Sequence, residues 1–268
     1  MEKYEEAILG FIDKHKYLRN KNVLGIVLYG SYLYGNNDEL SDIDIHVIMA
    51  DDVNKIVRGV DTIYGFKIEY FEKPISDLYK SCDNDFNTFG NALLPIIGKG
   101  RIIVDKKGEI KKLQDYVLEK YSEKLPGMDN MDAKEMAVIL ENRISKLSKL
   151  AKEKRIDFNH QYHLLIEKIR KFYSRQLGCA DIPPIKAYKI YTDSKYRDDF
   201  CKSDIPDKEF LDLYFKAINY NGTHDKKMEL IYELYTIATK NINIDPNNYR
   251  IHIKSRNDLY NNAHDKRD

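Results

Sequence analysis

Two small groups of polar residues lie close together early in the chain, with a spacing that suits phosphate and metal chemistry. Gly30 and Ser31 follow a short apolar run, and Asp42 and Asp44 begin the next one. A glycine at the end of a buried strand leaves no Cβ to obstruct a phosphate, and the backbone N–H groups after it can donate to phosphate oxygens. We therefore predict that Gly30 and the Ser31 hydroxyl bind phosphate groups.

The two aspartates are two residues apart at the start of a predicted strand, Ile43–Met49. Because strand side chains alternate, Asp42 and Asp44 project from the same face while Ile43 and Ile45 point into the core. Carboxylate oxygens are ligands that Mg²⁺ prefers, and a pair of metal ions can stabilise the attacking and leaving oxygens of an in-line displacement. This pattern predicts a two-metal Mg²⁺ site at which a hydroxyl attacks the α-phosphorus of a nucleoside triphosphate (NTP).

The stretch from Leu28 to Ser31, ten further residues and then Asp42-Ile43-Asp44 resembles the signature of the DNA polymerase β-like nucleotidyltransferase superfamily. Chain length, a helical second half and the arm from Ile68 to Phe71 make it similar to bacterial aminoglycoside and lincosamide nucleotidyltransferases. The resemblance implies an α/β catalytic domain, Mg²⁺, an NTP donor such as ATP, and a third carboxylate on a later strand. It also implies transfer of a nucleoside monophosphate to an antibiotic-type hydroxyl acceptor, hence antibiotic resistance.

Glu69 is the predicted third carboxylate. The segment from Val60 to Phe71 contains Tyr64-Gly65 between two β-rich stretches, which is typical of a hairpin. Glu69 and Glu72 differ in parity on its second arm, so only one of them can face the aspartates. The apolar neighbours Ile68 and Tyr70 favour Glu69, which we predict holds a metal ion beside Asp42 and Asp44. His46 shares the aspartate face by alternation but lies beyond it, and we leave it out of the site.

The elements that position these residues indicate an α+β protein with two domains. Apolar patterns predict a helix over residues 2–18, strands at 23–29 and 43–49, a helix over 87–97, a strand at 101–104 and a helix ending near 121. After Leu125-Pro126-Gly127 the patterns are helical. We predict a mixed-sheet catalytic domain over residues 1–124 and a helical bundle over 125–268 on the acceptor side. Its helices are predicted after an Asp132 cap and near 158–177, 207–219 and 225–240, with a polar tail from about 245.

Composition limits the partners. The net charge is +1, which disfavours a protein whose affinity comes mainly from a nucleic-acid backbone. The sequence contains no apolar run long enough for a membrane helix, and its first twenty residues are not typical of a signal peptide, so we expect a cytoplasmic protein without a membrane partner.

Several alternatives stay open at this stage. The acceptor can be a small molecule, a protein or an RNA, and a nucleotide-binding regulatory module without catalysis is a further alternative. The general base can be Glu69, or Glu141 or Glu167 from the helical half. The sequence also leaves open the base of the donor and whether a second copy completes the site in a homodimer.

Overall fold

The computed structural model of the protein describes residues 2–53, 55–125 and 127–243. The strands are β1 (Val23–Tyr29), β2 (Ile43–Met49), β3 (Val57–Ile63), β4 (Phe66–Pro74) and β5 (Arg101–Asp105). The α-helices are α1 (Lys3–Lys14), α2 (Ser31–Tyr34), α3 (Ile75–Asn87), α4 (Glu109–Ser122), α5 (Asn130–Lys152), α6 (Phe158–Gln176), α7 (Pro184–Thr192), α8 (Ser194–Asp199), α9 (Lys208–Asn219) and α10 (His224–Thr239), and a π-helix spans Leu94–Gly98. The predicted α+β class is confirmed.

The five strands form one sheet in the order β3-β4-β2-β1-β5. Strands β2 and β4 run parallel, while the other neighbours are antiparallel. The hairpin β3–β4 therefore carries the chain past β2 and returns β4 to lie beside it. This parallel pairing brings the second arm of the hairpin next to the strand that follows Asp42.

Both faces of the sheet are covered. Helix α1 packs on β3 and β4, and its buried residues join the core formed by Ile43, Ile45 and Val47. Helices α3 and α4 and the π-helix cover the other face, where Val27 and Ile48 are buried. Burial on both faces explains why β1 is a continuous apolar run rather than an alternating one. Among the described residues, no helix is long and apolar enough to cross a membrane.

The chain divides into two compact units. The first contains the described residues up to 125 together with Gly178–Asp204, and the second contains Gly127–Leu177 and residues 205–243. In the second unit, α10 packs against α5, α6 and α9. The sequence predicted a single boundary between the two domains near residue 125, whereas the chain returns to the first unit for α7 and α8. Hydrogen bonds hold this return, from Asn36 Nδ2 to Asp199 Oδ2 (2.7 Å) and from Asn91 Nδ2 to the Cys201 carbonyl (2.6 Å).

Local predictions differ from the structure at three places. The helix expected over 87–97 is wrong, because α3 already ends at Asn87 and the π-helix begins at Leu94. The opening helix ends at Lys14, since Lys16 adopts a positive φ of 55°. Asp129 rather than Asp132 caps α5, and its side chain accepts from the Asp132 backbone N–H. The polar tail predicted from about residue 245 lies outside the described residues.

Candidate active site

Gly30 occupies the turn between β1 and α2, directly against Asp44. Its φ of +80° lies in the left-handed region, which favours glycine. A Cβ built on Gly30 would overlap the Asp44 carboxylate oxygen Oδ2. Backbone conformation and space thus both require glycine at this position, because the Asp44 carboxylate fills the space that a Cβ would take.

Glu69, Asp44 and Tyr29 form a row across three neighbouring strands. Asp44 of β2 is the register partner of Glu69 in the parallel strand β4 and of Tyr29 in the antiparallel strand β1. Register partners project from the same face of a sheet, so the three side chains point to one side. Asp42 lies two residues before Asp44, at the entrance to β2. The structure therefore brings together the three carboxylates that the sequence singled out.

The electrostatics of this row are unfavourable to negative charge. Burial, and after it the nearby carboxylates Glu69 and Asp42, raise the pKa of Asp44 to about 6, while Lys186 acts in the opposite direction. Burial, and then Asp44, also raises the pKa of Tyr29. A carboxyl group with a raised pKa among other carboxylates is a group that a bound cation would stabilise in its ionised form.

The outer two carboxylates already have cationic partners. Lys67 Nζ donates to Asp42 Oδ2 at 2.7 Å, and Arg58 forms an ion pair with Glu69. Across the described ranges, no group of three or more His, Cys, Asp or Glu side chains is arranged as a preformed metal site. The donor set itself fits a hard cation, because it consists of carboxylate oxygens. A metal ion bound here would replace Lys67 as the partner of Asp42 and Arg58 as the partner of Glu69.

A pocket of about 430 Å³ opens at this end of the sheet. Its polar lining comes from Tyr29, Gly30, Ser31, Asp44, Lys186 and Lys202. All of these residues belong to the first unit. The pocket thus places the predicted phosphate-binding pair, Gly30 and Ser31, beside Asp44 in one concave surface of the size usual for small-molecule sites, ~300–1,000 Å³.

Lys186 and Lys202 were missed by the sequence reasoning. Lys186 lies on α7, and Lys202 follows α8 and forms a hydrogen bond with Asn91 Oδ1. Burial lowers the pKa of Lys202 to about 8, although the nearby Asp85 counteracts this shift. Both lysines reach the pocket only because α7 and α8 return to the first unit. No spacing in the sequence indicates that return, so no local signal could have identified them.

Glu72 and His46 lie outside the row. Glu72 is the register partner of Val47, on the opposite face, and its Oε1 accepts a 2.6 Å hydrogen bond from the Tyr17 hydroxyl. His46 shares the face of Asp44 but is 7% exposed, and its imidazole stacks on Phe71. Neither ring nitrogen of His46 has a hydrogen-bond partner among the described residues, and burial lowers its pKa to about 4.

The other two candidate bases lie in the second unit. Glu167 accepts a 2.6 Å hydrogen bond from the Tyr214 hydroxyl and pairs with Arg170. Glu141 lies near Tyr235 and contributes to the raised pKa of its phenol. A groove of about 710 Å³ between α5 and α6 contains neither of these glutamates. Both carboxylates are engaged within the helical unit.

Comparisons with known proteins concern the family and the fold of the chain. The family model for the nucleotidyltransferase domain matches residues 14–163, which include Gly30, Ser31 and all three carboxylates. No curated protein has a sequence that matches the chain. The fold is similar to the crystal structure of a nucleotidyltransferase-like protein from Exiguobacterium sibiricum, with a TM-score of 0.51 and 12% identity over 88% of this chain and 74% of that chain. At this identity the similarity concerns the fold alone.

Proposed function

This chain belongs to the nucleotidyltransferase domain family, and we propose that it transfers a nucleoside monophosphate from a Mg²⁺-bound NTP to a hydroxyl group of a small-molecule acceptor. In this reaction the acceptor hydroxyl gives up its proton to a general base, its oxygen forms a bond with the α-phosphorus, the bond from that phosphorus to the oxygen that bridges to the β-phosphorus breaks, and pyrophosphate leaves. The acceptor class we propose is the antibiotic type that the sequence resemblance implies.

The observation that carries the proposal is the close approach of Asp44 to Gly30, both of which line the pocket. Because Gly30 has no Cβ, the Asp44 carboxylate lies directly against the backbone, and Ser31, whose hydroxyl can donate to a phosphate, lines the same pocket. The carboxylate row reaches this pocket through Asp44, the register partner of Glu69. Phosphates and carboxylates repel each other, so their juxtaposition is productive only with a cation between them.

Asp42, Asp44 and Glu69 are the residues that would hold Mg²⁺. When bound, the metal would supply charge neutralisation at the phosphates and a lower pKa for the acceptor hydroxyl. Asp44 must be ionised to act as a ligand, and its raised pKa of about 6 still leaves it ionised at neutral pH. Before a metal ion binds, Lys67 pairs with Asp42 and Arg58 pairs with Glu69. These two cations reduce the repulsion between the carboxylates.

Lys186 and Lys202 are proposed to neutralise the outer phosphates. Both lysines line the same pocket as Ser31. The charge of Lys186 lowers the pKa of Lys202 in addition to the effect of burial. Two like charges held together in a pocket favour an anionic ligand. Positioning and charge neutralisation of this kind are sufficient for phosphoryl-type transfer.

The test is incubation of the full chain with each α-³²P-labelled NTP and Mg²⁺, against hydroxyl-bearing small molecules, cell proteins and RNA in separate reactions. The small-molecule panel includes aminoglycosides and lincosamides. Asp44→Asn serves as the control for transfer that depends on the carboxylate row. We expect label in the small-molecule fraction with wild type and none with the variant.

Other outcomes are equally informative. Label in the protein or RNA fraction would overturn the small-molecule acceptor while keeping the reaction. Nucleotide binding without transfer to any fraction would assign the chain to the regulatory alternative.

A further inference from the structure

One wall of the active-site pocket is apolar, and the proposed function leaves it without a role. It is formed by Pro95 and Ile96 of the π-helix and by Pro183, Ile190, Tyr196 and Phe200 from the returning segment. Apart from the Tyr196 hydroxyl, none of these side chains carries a hydrogen-bonding group. A triphosphate makes no favourable contact with such a wall, which instead suits an apolar or aromatic part of a substrate.

Phe200 is the residue that joins this wall to the polar end of the pocket. Its ring centroid lies 4.5 Å from that of Tyr196 and 5.8 Å from that of Tyr34. Lys186 Nζ lies 5.3 Å from the centre of the Phe200 ring. The same Lys186 is close enough to Asp44 to interact with its carboxylate. One side chain thus spans the distance between the carboxylate row and an aromatic face.

We propose that Phe200, supported by Tyr196, is the platform on which the nucleobase of the donor NTP stacks. The proposal rests on the nucleotidyltransferase function, and it identifies the part of the site that recognises the nucleoside. Lys186 then has two contacts: its charge neutralises phosphate, and its position over Phe200 orders the ring. The return of α7 and α8 to the first unit builds this subsite.

Recognition by stacking has a consequence for donor choice. Every base presents a π-face, so stacking tolerates different bases, and larger ring systems bury more area. Since the wall has few groups that read base edges, we expect ATP and GTP to bind similarly and CTP and UTP more weakly. Strong preference for one purine over the other would contradict a stacking platform.

The experiment compares two probes, Mg²⁺ with ATP and Mg²⁺ with inorganic tripolyphosphate, which has no nucleoside. Calorimetry measures the affinity of the full chain and of Phe200→Leu, which keeps apolar volume but removes the aromatic face, and of Phe200→Ala. We expect both variants to bind ATP about 5- to 150-fold more weakly, the range of base–aromatic stacking, and tripolyphosphate as wild type does. Tyr188→Leu, an exposed aromatic on α7 outside the pocket, is the matched control and should leave both affinities unchanged.

The outcomes distinguish failure of this inference from failure of the proposed function on which it rests. If wild type binds both probes and the Phe200 variants bind ATP normally, the base lies elsewhere and the inference is wrong. Equal weakening for ATP and tripolyphosphate would also overturn it, because the effect would then concern the phosphates. If wild type binds neither probe, the proposed function falls and the inference falls with it. Thermal unfolding of each variant shows whether it is folded, and Phe200→Leu decides the matter if Phe200→Ala is not.

Discussion

Asp44 and Glu69 are register partners on parallel strands, and the Glu69 carboxylate helps to raise the pKa of Asp44. Two acidic groups side by side, one of them buried, cost free energy in the unliganded protein. Such an arrangement is expected where a cation is to be bound, and the following predictions depend on it.

Replacing Asp44 by Asn should change how stability depends on pH. The pKa of Asp44 is raised from an ordinary ~3.9 to about 6, so between these values the folded state binds more protons than the unfolded state. Wild-type stability therefore falls, relative to Asp44→Asn, as pH rises from about 4 to about 6, and the difference is constant above that. Without metal we expect the variant to be more stable at pH 7 by about 1–2 kcal/mol, allowing for partial exposure.

Urea unfolding of both proteins in chelator across this pH range measures the difference. A difference that does not vary with pH would mean that Asp44 titrates normally. A difference that moves in wild type's favour as pH rises would mean that a cation of the protein already stabilises the carboxylate.

Gly30→Ala and Gly35→Ala compare a glycine that lies against Asp44 with one that does not. Gly35 (φ 66°, ψ 24°) has the left-handed helical conformation, in which Ala costs about 1–2 kcal/mol, whereas Gly30 (φ 80°, ψ −160°) has a conformation that is essentially confined to glycine. A Cβ at Gly35 meets nothing within 4 Å, whereas one at Gly30 overlaps the Asp44 carboxylate. We expect Gly35→Ala to lose stability but keep transfer activity, and Gly30→Ala to lose more stability and nearly all transfer. Equal activity of the two variants would remove the role assigned to the Gly30–Asp44 contact.

Glu69→Gln and Glu72→Gln test the two faces of β4. Glu69 lies beside Asp44, so Glu69→Gln should lower transfer about 10²- to 10³-fold, as the loss of one preorganised electrostatic group does. Glu72 accepts from Tyr17 on the other face, so Glu72→Gln should keep transfer and lose about 0.5–1.5 kcal/mol of stability. Steady-state transfer rates and urea unfolding measure the two effects. The reverse order of activities, with both variants folded, would contradict the register assigned to this row.

Lys202→Met should weaken phosphate binding and remove part of its pH dependence. Loss of a charged contact predicts about 10- to 100-fold weaker binding of both ATP and tripolyphosphate. Burial holds the pKa of Lys202 near 8, so in wild type the cation is lost, and affinity falls, as pH rises through that value. The variant should show no such fall. Lys195→Met, which breaks an exposed ion pair with Asp199 on α8, is the matched control and should bind both probes as wild type does.

The local elements of the site were readable from sequence, because each depends on neighbours in the chain. The apolar run of β1 and the alternation of β2 predicted both strands with the bounds that the structure has. Strand parity likewise separated Glu69 from Glu72, since their faces follow from alternation alone.

The remaining parts depend on contacts between distant segments. Lys186, Lys202 and Phe200 lie more than 130 positions after Asp44 in the sequence and reach the pocket through a segment bounded by Gly178 and Asp204. Helical periodicity describes α7 but does not indicate which unit it joins. The pairing of Asp42 with Lys67 was also unpredicted, because it requires the parallel register of β2 and β4.

Calorimetric titration of ATP with and without Mg²⁺, for wild type and Asp44→Asn, tests the central claim most directly. The claim is that the carboxylate row holds the cation that binds the donor phosphates. Wild type should bind ATP well only with Mg²⁺, because otherwise the phosphates face Asp44 and its neighbours. Asp44→Asn should bind metal-free ATP better than wild type does, and should gain little from Mg²⁺. Equal affinity of wild type for ATP in the presence and absence of Mg²⁺ would contradict the account.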